Sequence, residues 1–325
     1  MSSHYTLETL PAVFNKKILT TYVLGNQKEY LYSKHNNVGL FDFSEPLKPE
    51  PLALTIAWAT TVGDRDATDC ITPEDFSAIR RRAVKTREEQ RVRTKDKAEV
   101  FTPTWICNLQ NSLIDDVIEP ALFNTLDNEN QRWEATASPV AFPETYSGGW
   151  LRDVAERRLE AACGEAPYLV SPYNTVTGKK IPVLNEDGRY PRIGFLDRKL
   201  RVINENVDSF DTWFSCVQVA YSSIYGYEWQ GDNLLLARLN LLNTFRDYFS
   251  ARWNKLPSIE EEFVILDIIS KNLWQMDGLR NVFPLSCSKN CSSCELRSTT
   301  EHRGDLSVIY WNKEWVVFEE LSDKK

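Results

Sequence analysis

No run in this chain approaches the roughly 20 apolar residues that a membrane-crossing helix needs. The opening residues, MSSHYTLETL, carry neither the basic nor the apolar region of a secretory signal. A cytoplasmic protein with no membrane partner is therefore expected. Histidine is scarce, three in 325 residues, so a histidine beside other metal-binding side chains is informative. The seven cysteines are too thinly spread for the disulfide framework of a small secreted domain. Nor does positive charge dominate: the net charge of −8 argues against a uniformly basic nucleic-acid binder.

What is present is the material of a globular protein. Hydrophobic residues make up 42%, and 10 Trp, 13 Tyr and 15 Phe supply bulk for a core, enough for one large domain with an extension or for two domains. Charge is unevenly spread. Between Arg80 and Lys97 nine basic residues face three acidic ones, a basic stripe on an acidic body. Arg80, Arg81, Arg82, Lys85 and Arg87 could contact phosphates of nucleic acid; equally they could form a solvated helix face with internal Arg–Glu pairs.

Leu19–Leu24 and Leu52–Trp58 read as strands, with prolines 46, 49 and 51 marking an extended link. Thr72-Pro-Glu-Asp has the residues of a helix start, with Phe76, Ile79 and Ala83 sharing a face before charge takes over. Trp105–Ile114 reads as an amphipathic helix and 120–150 as a long surface connection ending at Gly148-Gly149. The stretch Arg157–Val170, RRLEAACGEAPYLV, reads as a strand, a tight turn at Cys163-Gly164 and a helix start. Such a turn leaves backbone N–H groups facing outward, which suits a polar or anionic ligand. Thr175–Arg192 reads as a loop or hairpin insertion, Asp211–Ser222 as a helix, and Ile224–Glu228 as a strand ending in an acid. Asn233–Phe249 is an apolar-faced helix. Ser258-Ile-Glu-Glu261 has the capping-box pattern of another, running to about Ser270. Leu273–Met276 reads as a strand delivering Asp277. This alternation favours a parallel α/β sheet with ligand groups at the C-terminal strand edge. There Glu228 could accept two ribose hydroxyls and Asp277 an exocyclic adenine amine, or each could be an ordinary surface acid.

These segments resemble the amino-group (N6-adenine) DNA methyltransferases, most closely those described as modification subunits of restriction systems. Ala98-Glu-Val-Phe-Thr-Pro followed by Trp105-Ile106 resembles the family's Phe-Thr-Pro motif. Glu160-Ala-Ala-Cys-Gly-Glu-Ala166 is similar to its acidic-Pro-Ala-Cys-Gly-Ser-Gly turn. Ile224–Glu228 with the helix after it resembles the second motif, and Asn272-Leu-Trp-Gln-Met-Asp-Gly-Leu the third. The resemblance covers roughly residues 97–280. It implies a Rossmann-like methyltransferase sheet with helices on both faces, binding of S-adenosylmethionine, and methyl transfer to the N6 of a flipped-out adenine in DNA. By resemblance, Phe101, Thr102 and Pro103 lie against the cofactor. Glu160, Cys163, Gly164 and Ala166 line its methionine end, Glu228 holds the ribose and Asp277 the adenine.

The chain also departs from the family. Glu156–Glu160 is polar where the first strand is usually apolar, the Asp-Pro at its end is Glu160-Ala161, and Ala166-Pro167 replaces the second glycine. The catalytic Asn/Asp-Pro-Pro-aromatic motif, which accepts from the target amine and stacks the flipped base, is absent from all 325 residues. Tyr310, Trp311 and Asn312 are candidates for an equivalent, or are core and hairpin residues. Ser171-Pro172-Tyr173 resembles the motif but lies too early, beside the first turn.

Cys287-x3-Cys291-x2-Cys294-x7-His302 has three thiols and an imidazole at the spacing of a closed, tetrahedral zinc site. Lys289, Arg297 and Arg303 would offset its negative charge. The alternative is three reduced cysteines in a loop. The expected organisation is an N-terminal extension with a basic helix (1–96), a methyltransferase-like α/β domain (97–284), and a zinc-binding segment with C-terminal strands (285–325). The expected function is S-adenosylmethionine-dependent DNA adenine-N6 methylation within a restriction-modification or defence system. The competing reading is a catalytically inactive DNA- or protein-binding subunit of the same fold, working with partner subunits. A plainer third is an α/β domain whose turn binds another nucleotide.

Overall fold

The computed structural model describes residues 79–97 and 99–278, and the backbones of four short strands beyond them. Among the described residues it is a mixed α/β structure of seven helices and small sheets. The expected strands before residue 70 lie outside them. By compactness the chain forms two units, one containing Arg80–Gly226 with Leu239–Ile268, the other containing Tyr227–Arg238 with Ile269–Lys325.

The expected helix does not run from Thr72 through Ala83. Its start lies outside the described residues, Ile79–Arg81 is not helical, and Arg82–Val84 is one 3₁₀ turn. The helix of this region, α1, is Arg87–Lys97. The reason is local: the Thr86 Oγ accepts the N–H of Glu89 at 3.2 Å, and the Glu89 carboxylate accepts the N–H of Thr86 at 2.6 Å. This reciprocal capping box starts a fresh helix at 87. Helix α2, Thr104–Asp115, follows Pro103 and takes in the expected 105–114.

Within 120–150 the chain is not a plain connection. It folds as an antiparallel hairpin, β1 (Asn124–Asp127) with β2 (Arg132–Ala135), Leu126 facing Trp133. Asp127 accepts the Asn130 N–H at 3.1 Å, and Gln131 takes a left-handed φ of 55° to close the turn. A short helix α3, Gly149–Ala155, precedes strand β3, Arg158–Glu160.

No helix follows β3 directly, contrary to the expected strand–turn–helix. Pro167 disfavours helical backbone at the residue before it, and Ala166 sits at φ 62°. The 175–192 stretch is a turn-rich insertion with one bridge, Tyr173 to Lys180. The next helix is α4, Phe195–Asn206, which sequence patterning did not suggest. Its Leu196, Leu200 and Ile203 are buried, but so are Asp197, Arg198, Lys199 and Arg201. A helix buried on nearly every side has no solvent face to reveal its period.

Helix α5 is Phe210–Ser222, strand β4 is Ile224–Glu228, helix α6 is Gly231–Trp253, helix α7 is Ile259–Asn272 and strand β5 is Leu273–Gln275. Ser258 opens α7 with the expected capping box: its Oγ accepts the N–H of Glu261 at 3.3 Å, and the Glu261 carboxylate accepts the N–H of Ser258 at 2.5 Å. Three strands form one sheet in the order β3-β4-β5. β3 and β4 are parallel, Arg158 opposite Ile224 and Glu160 opposite Gly226. Among the described residues β3 is the polar edge strand, with Leu159 exposed, which is how so charged a strand is tolerated. The core of the larger unit is aromatic. Trp213 of α5 meets Phe249 and Trp253 of α6 edge-on at 5.7 and 5.8 Å, and Tyr221 meets Phe245 at 6.3 Å. The remaining strands are β6 (Val282–Cys287), β7 (Gly304–Leu306), β8 (Val308–Trp311) and β9 (Glu314–Val317), in two antiparallel pairs. Among the described residues no helix is long and apolar enough to cross a membrane.

Candidate cofactor site

β3 delivers Glu160 to the start of a left-handed turn. Ala162, Gly164 and Ala166 all have positive φ, at 49°, 55° and 62°. The buried Glu160 carboxylate closes the turn on itself by accepting the N–H groups of Tyr168 and Leu169 at 3.4 and 3.2 Å. Cys163 is buried with its thiol inward: a Cβ at Gly226 of β4 would meet its Sγ at 3.2 Å. Glycine at 226 is therefore what lets the turn seat on the sheet. Ala166 is fully buried, and Gly164 is half-buried. Cys163 and Ala166 thus contribute to this place through their backbone, with side chains in the core.

The Phe-Thr-Pro segment comes to the same place from the other direction. The Phe101 ring lies so close to Gly164 that a Cβ there would meet it at 3.0 Å. The Thr102 carbonyl accepts from the Thr175 hydroxyl at 2.9 Å and from the Cys107 thiol at 3.7 Å. Pro103 is the N-cap of α2. Phe101, Thr102, Pro103 and Tyr168 are all half-buried. Burial, with Glu160 nearby, pushes the Cys107 thiol far above its usual range, so it stays protonated.

Sequence reasoning overlooked Glu165; an acid inside so tight a turn was the available signal. Glu165 is buried, accepts the N–H of Arg82 at 2.6 Å, and receives the hydroxyl of Tyr173. Asn240 of α6 donates to both the Glu165 carbonyl and the Tyr173 hydroxyl at 2.9 Å. Burial raises the Glu165 carboxyl, against the pull of the Tyr173 hydroxyl, the Arg82 N–H and the Lys85 and Arg81 charges. Ser171 of the motif-like Ser-Pro-Tyr is also occupied internally, donating to Asp197 at 3.0 Å and accepting the Ile193 N–H at 2.7 Å.

In the other unit, β4 ends at the buried Glu228, whose carboxylate accepts the N–H of Gln230 at 2.9 Å. The Met276 N–H donates to the Glu228 carbonyl at 3.1 Å, which sets the half-buried Asp277 directly after the strand neighbouring Glu228. Gln275 donates to the Trp229 carbonyl at 2.9 Å and reinforces the pairing. Glu228 and Asp277 are thus brought to adjacent strand ends.

The basic stripe divides. Arg80 pairs with Glu89, and Arg81 stacks over the Tyr173 ring at 4.2 Å. Arg82 reaches the Glu99 carboxylate at 3.4 Å and its carbonyl at 3.1 Å, and Lys85 lies 3.9 Å from the same carboxylate. Of the five residues considered for phosphate binding, Arg87 is exposed without an ion pair to a described residue.

Of the zinc candidates, Cys287 closes β6, and its side chain, with Cys291, Cys294 and His302, lies outside the described residues. Tyr310 and Trp311 lie on β8 as backbone only, and Asn312 lies outside. Among the described residues no group of His, Cys, Asp and Glu is placed to hold a metal. Searched against protein-family models, curated proteins and solved structures, the chain finds no match in any of the three.

Proposed function

We propose that the chain binds S-adenosylmethionine on a Rossmann-like sheet and serves as an N6-adenine DNA methyltransferase-type subunit of a modification or defence system. The observation that carries the reading is the packing of Phe101 against Gly164, two segments far apart in sequence that the family also places together. The polar groups suit the cofactor. A carboxylate at Glu228 has two oxygens for vicinal ribose hydroxyls, and one at Asp277 can accept an exocyclic amine. Phe101 offers a half-buried aromatic face beside the turn at Gly164. Glu160 acts here as the brace of the turn, since its carboxylate is committed to Tyr168 and Leu169. The cofactor supplies an electrophilic methyl group; the residues of this chain bind and orient it.

The absence of the Asn/Asp-Pro-Pro-aromatic motif favours a second reading, in which the same fold binds cofactor or DNA without transferring methyl groups. Calorimetry with S-adenosylmethionine on wild type and Asp277→Ala tests the first claim. Saturable binding that the substitution weakens at least tenfold, roughly the 1.4 kcal/mol of a good hydrogen bond, is expected. No heat with either protein would remove the proposal. If wild type binds, transfer of a labelled methyl group to adenine-containing duplex separates enzyme from inactive subunit. For the zinc segment we propose a structural ion held by Cys287, Cys291, Cys294 and His302, read as metal content after purification and its loss in Cys291→Ser.

A further inference from the structure

We infer that the outward face of α1 docks duplex DNA through the phosphate backbone, with Arg87, Arg91 and Lys95 as its contacts. The inference rests on reading the chain as one that acts on DNA, and it moves the contact surface away from Arg80–Lys85. The cations of this region form two populations. Arg80, Arg81, Arg82, Lys85 and Arg93 are engaged by Glu89, the Tyr173 ring and Glu99. They hold the segment to its own unit, helped by the Arg82 N–H on Glu165. Arg87, Arg91 and Lys95 are exposed, and none pairs with a described residue.

Their spacing is regular. Residues four apart on a helix advance about 6 Å and rotate about 40°, so the three cations fall within a sector of roughly 80°. Arg93 lies on the opposite side, where it meets Glu99. Two backbone steps of one B-DNA strand advance about 6.8 Å, a repeat the stripe can follow. Because the inner cations already fix α1, binding pays little ordering entropy. Of the acids of α1 whose side chains are described, Glu89 is occupied by Arg80 and Thr86, and Glu88 is exposed beside the stripe.

Other anionic partners fit less well. The only apolar residue in α1 is Val92, whereas a helix lying in a membrane surface needs a broad apolar face. The helix carries no aromatic side chain for stacking single-stranded bases.

The test is fluorescence anisotropy of the full chain with a labelled duplex across a salt series. Arg87→Gln/Arg91→Gln/Lys95→Gln is expected to weaken binding about tenfold or more at low salt. It should make the slope of log K against log salt shallower by about 2 to 3, at roughly 0.9 per phosphate contact. Glu88→Gln, which removes a repelling charge, should tighten binding. Unchanged circular dichroism and unfolding midpoint verify the fold of the triple variant; if it misfolds, Glu88→Gln decides, and unchanged affinity there overturns the inference. Wild-type affinity and slope in a folded triple variant overturn it while leaving the cofactor reading intact. No duplex binding by wild type at low salt overturns both this inference and the DNA-modifying reading, whereas cofactor binding is tested separately by calorimetry. Stripe-dependent binding to anionic vesicles in place of duplex would overturn it in favour of a membrane.

Discussion

Lys199 of α4 is a buried ammonium group surrounded by four oxygen acceptors. Its Nζ donates to the carbonyls of Asp153 and Val154 and to the Ser223 hydroxyl, each at 2.9 Å, and to the carbonyl of Glu156. These carbonyls belong to the last turn of α3 and its C-cap Glu156, where helical acceptors run short of partners. Burial pulls the lysine down to about 7 and lifts the neighbouring Asp153 to about 6, and the attraction between the two charges opposes both shifts. The consequence for stability has a definite sign. Between about pH 7 and its ordinary value, Lys199 binds more protons in the unfolded chain, so its contribution to stability rises with pH. Asp153 does the reverse between about pH 4 and 6, where the folded state binds more protons. Urea unfolding from pH 7 to 8.5 should therefore show wild type gaining up to about 1.4 kcal/mol per pH unit relative to Lys199→Met. Parallel curves would refute this. At low pH in that window the variant trades a penalised charge for lost hydrogen bonds, while the Asp153 carbonyl keeps the Glu156 N–H and the Val154 carbonyl the Ser223 hydroxyl, both at 3.1 Å.

At the scale of elements, α6 and α7 are joined by a buried two-pronged ion pair. Arg246 Nε and Nη2 donate to the two carboxylate oxygens of Glu262 at 2.5 and 2.8 Å. Removing one partner strands a charge, so Glu262→Ala should cost about 3–5 kcal/mol, while Arg246→Met/Glu262→Leu should recover most of that loss. Denaturant midpoints of both variants measure it, and a double variant no better than the single one would count against it. The same pair shows what the sequence does and does not disclose. Helix α7 was legible because Ser258 and Glu261 are three apart before an apolar run. Thr86 and Glu89 have the same relation but stand in a charged stretch, where no apolar stripe flags a helix start. α4 was illegible for the opposite reason, since its charged residues face inward onto partners such as Asp115, Asn108 and Ser112. Strand β4 and the acids Glu228 and Asp277 were legible because each closes a short apolar or aromatic run.

At the scale of the whole molecule, a ligand that binds only the folded chain raises its stability by mass action, by about 2.7 kcal/mol at one hundred times Kd. S-adenosylmethionine should accordingly raise the melting temperature of wild type in proportion to the logarithm of its concentration, and Asp277→Ala should need more cofactor for the same rise. A concentration-independent wild-type Tm would contradict the proposed function. The parts of the candidate site whose placement was legible in the sequence are those fixed by residue type and strand position. Which side chains turn inward at Cys163, Ala166 and Glu165 depends on how the turn seats against Gly226 and Phe101, and that is decided by contacts between distant segments.

The left-handed backbone at Ala166 also restricts what can stand there. An L-residue in this conformation costs roughly 1–2 kcal/mol, and asparagine and aspartate, which tolerate it best, would bring polar atoms into a position with no exposed surface. Branched side chains are excluded by the backbone and larger ones by the surrounding core. The alphabet open to residue 166 shrinks to alanine and glycine, so a saturation library at this codon should retain those two letters and lose the rest, a narrowness more usual at catalytic positions.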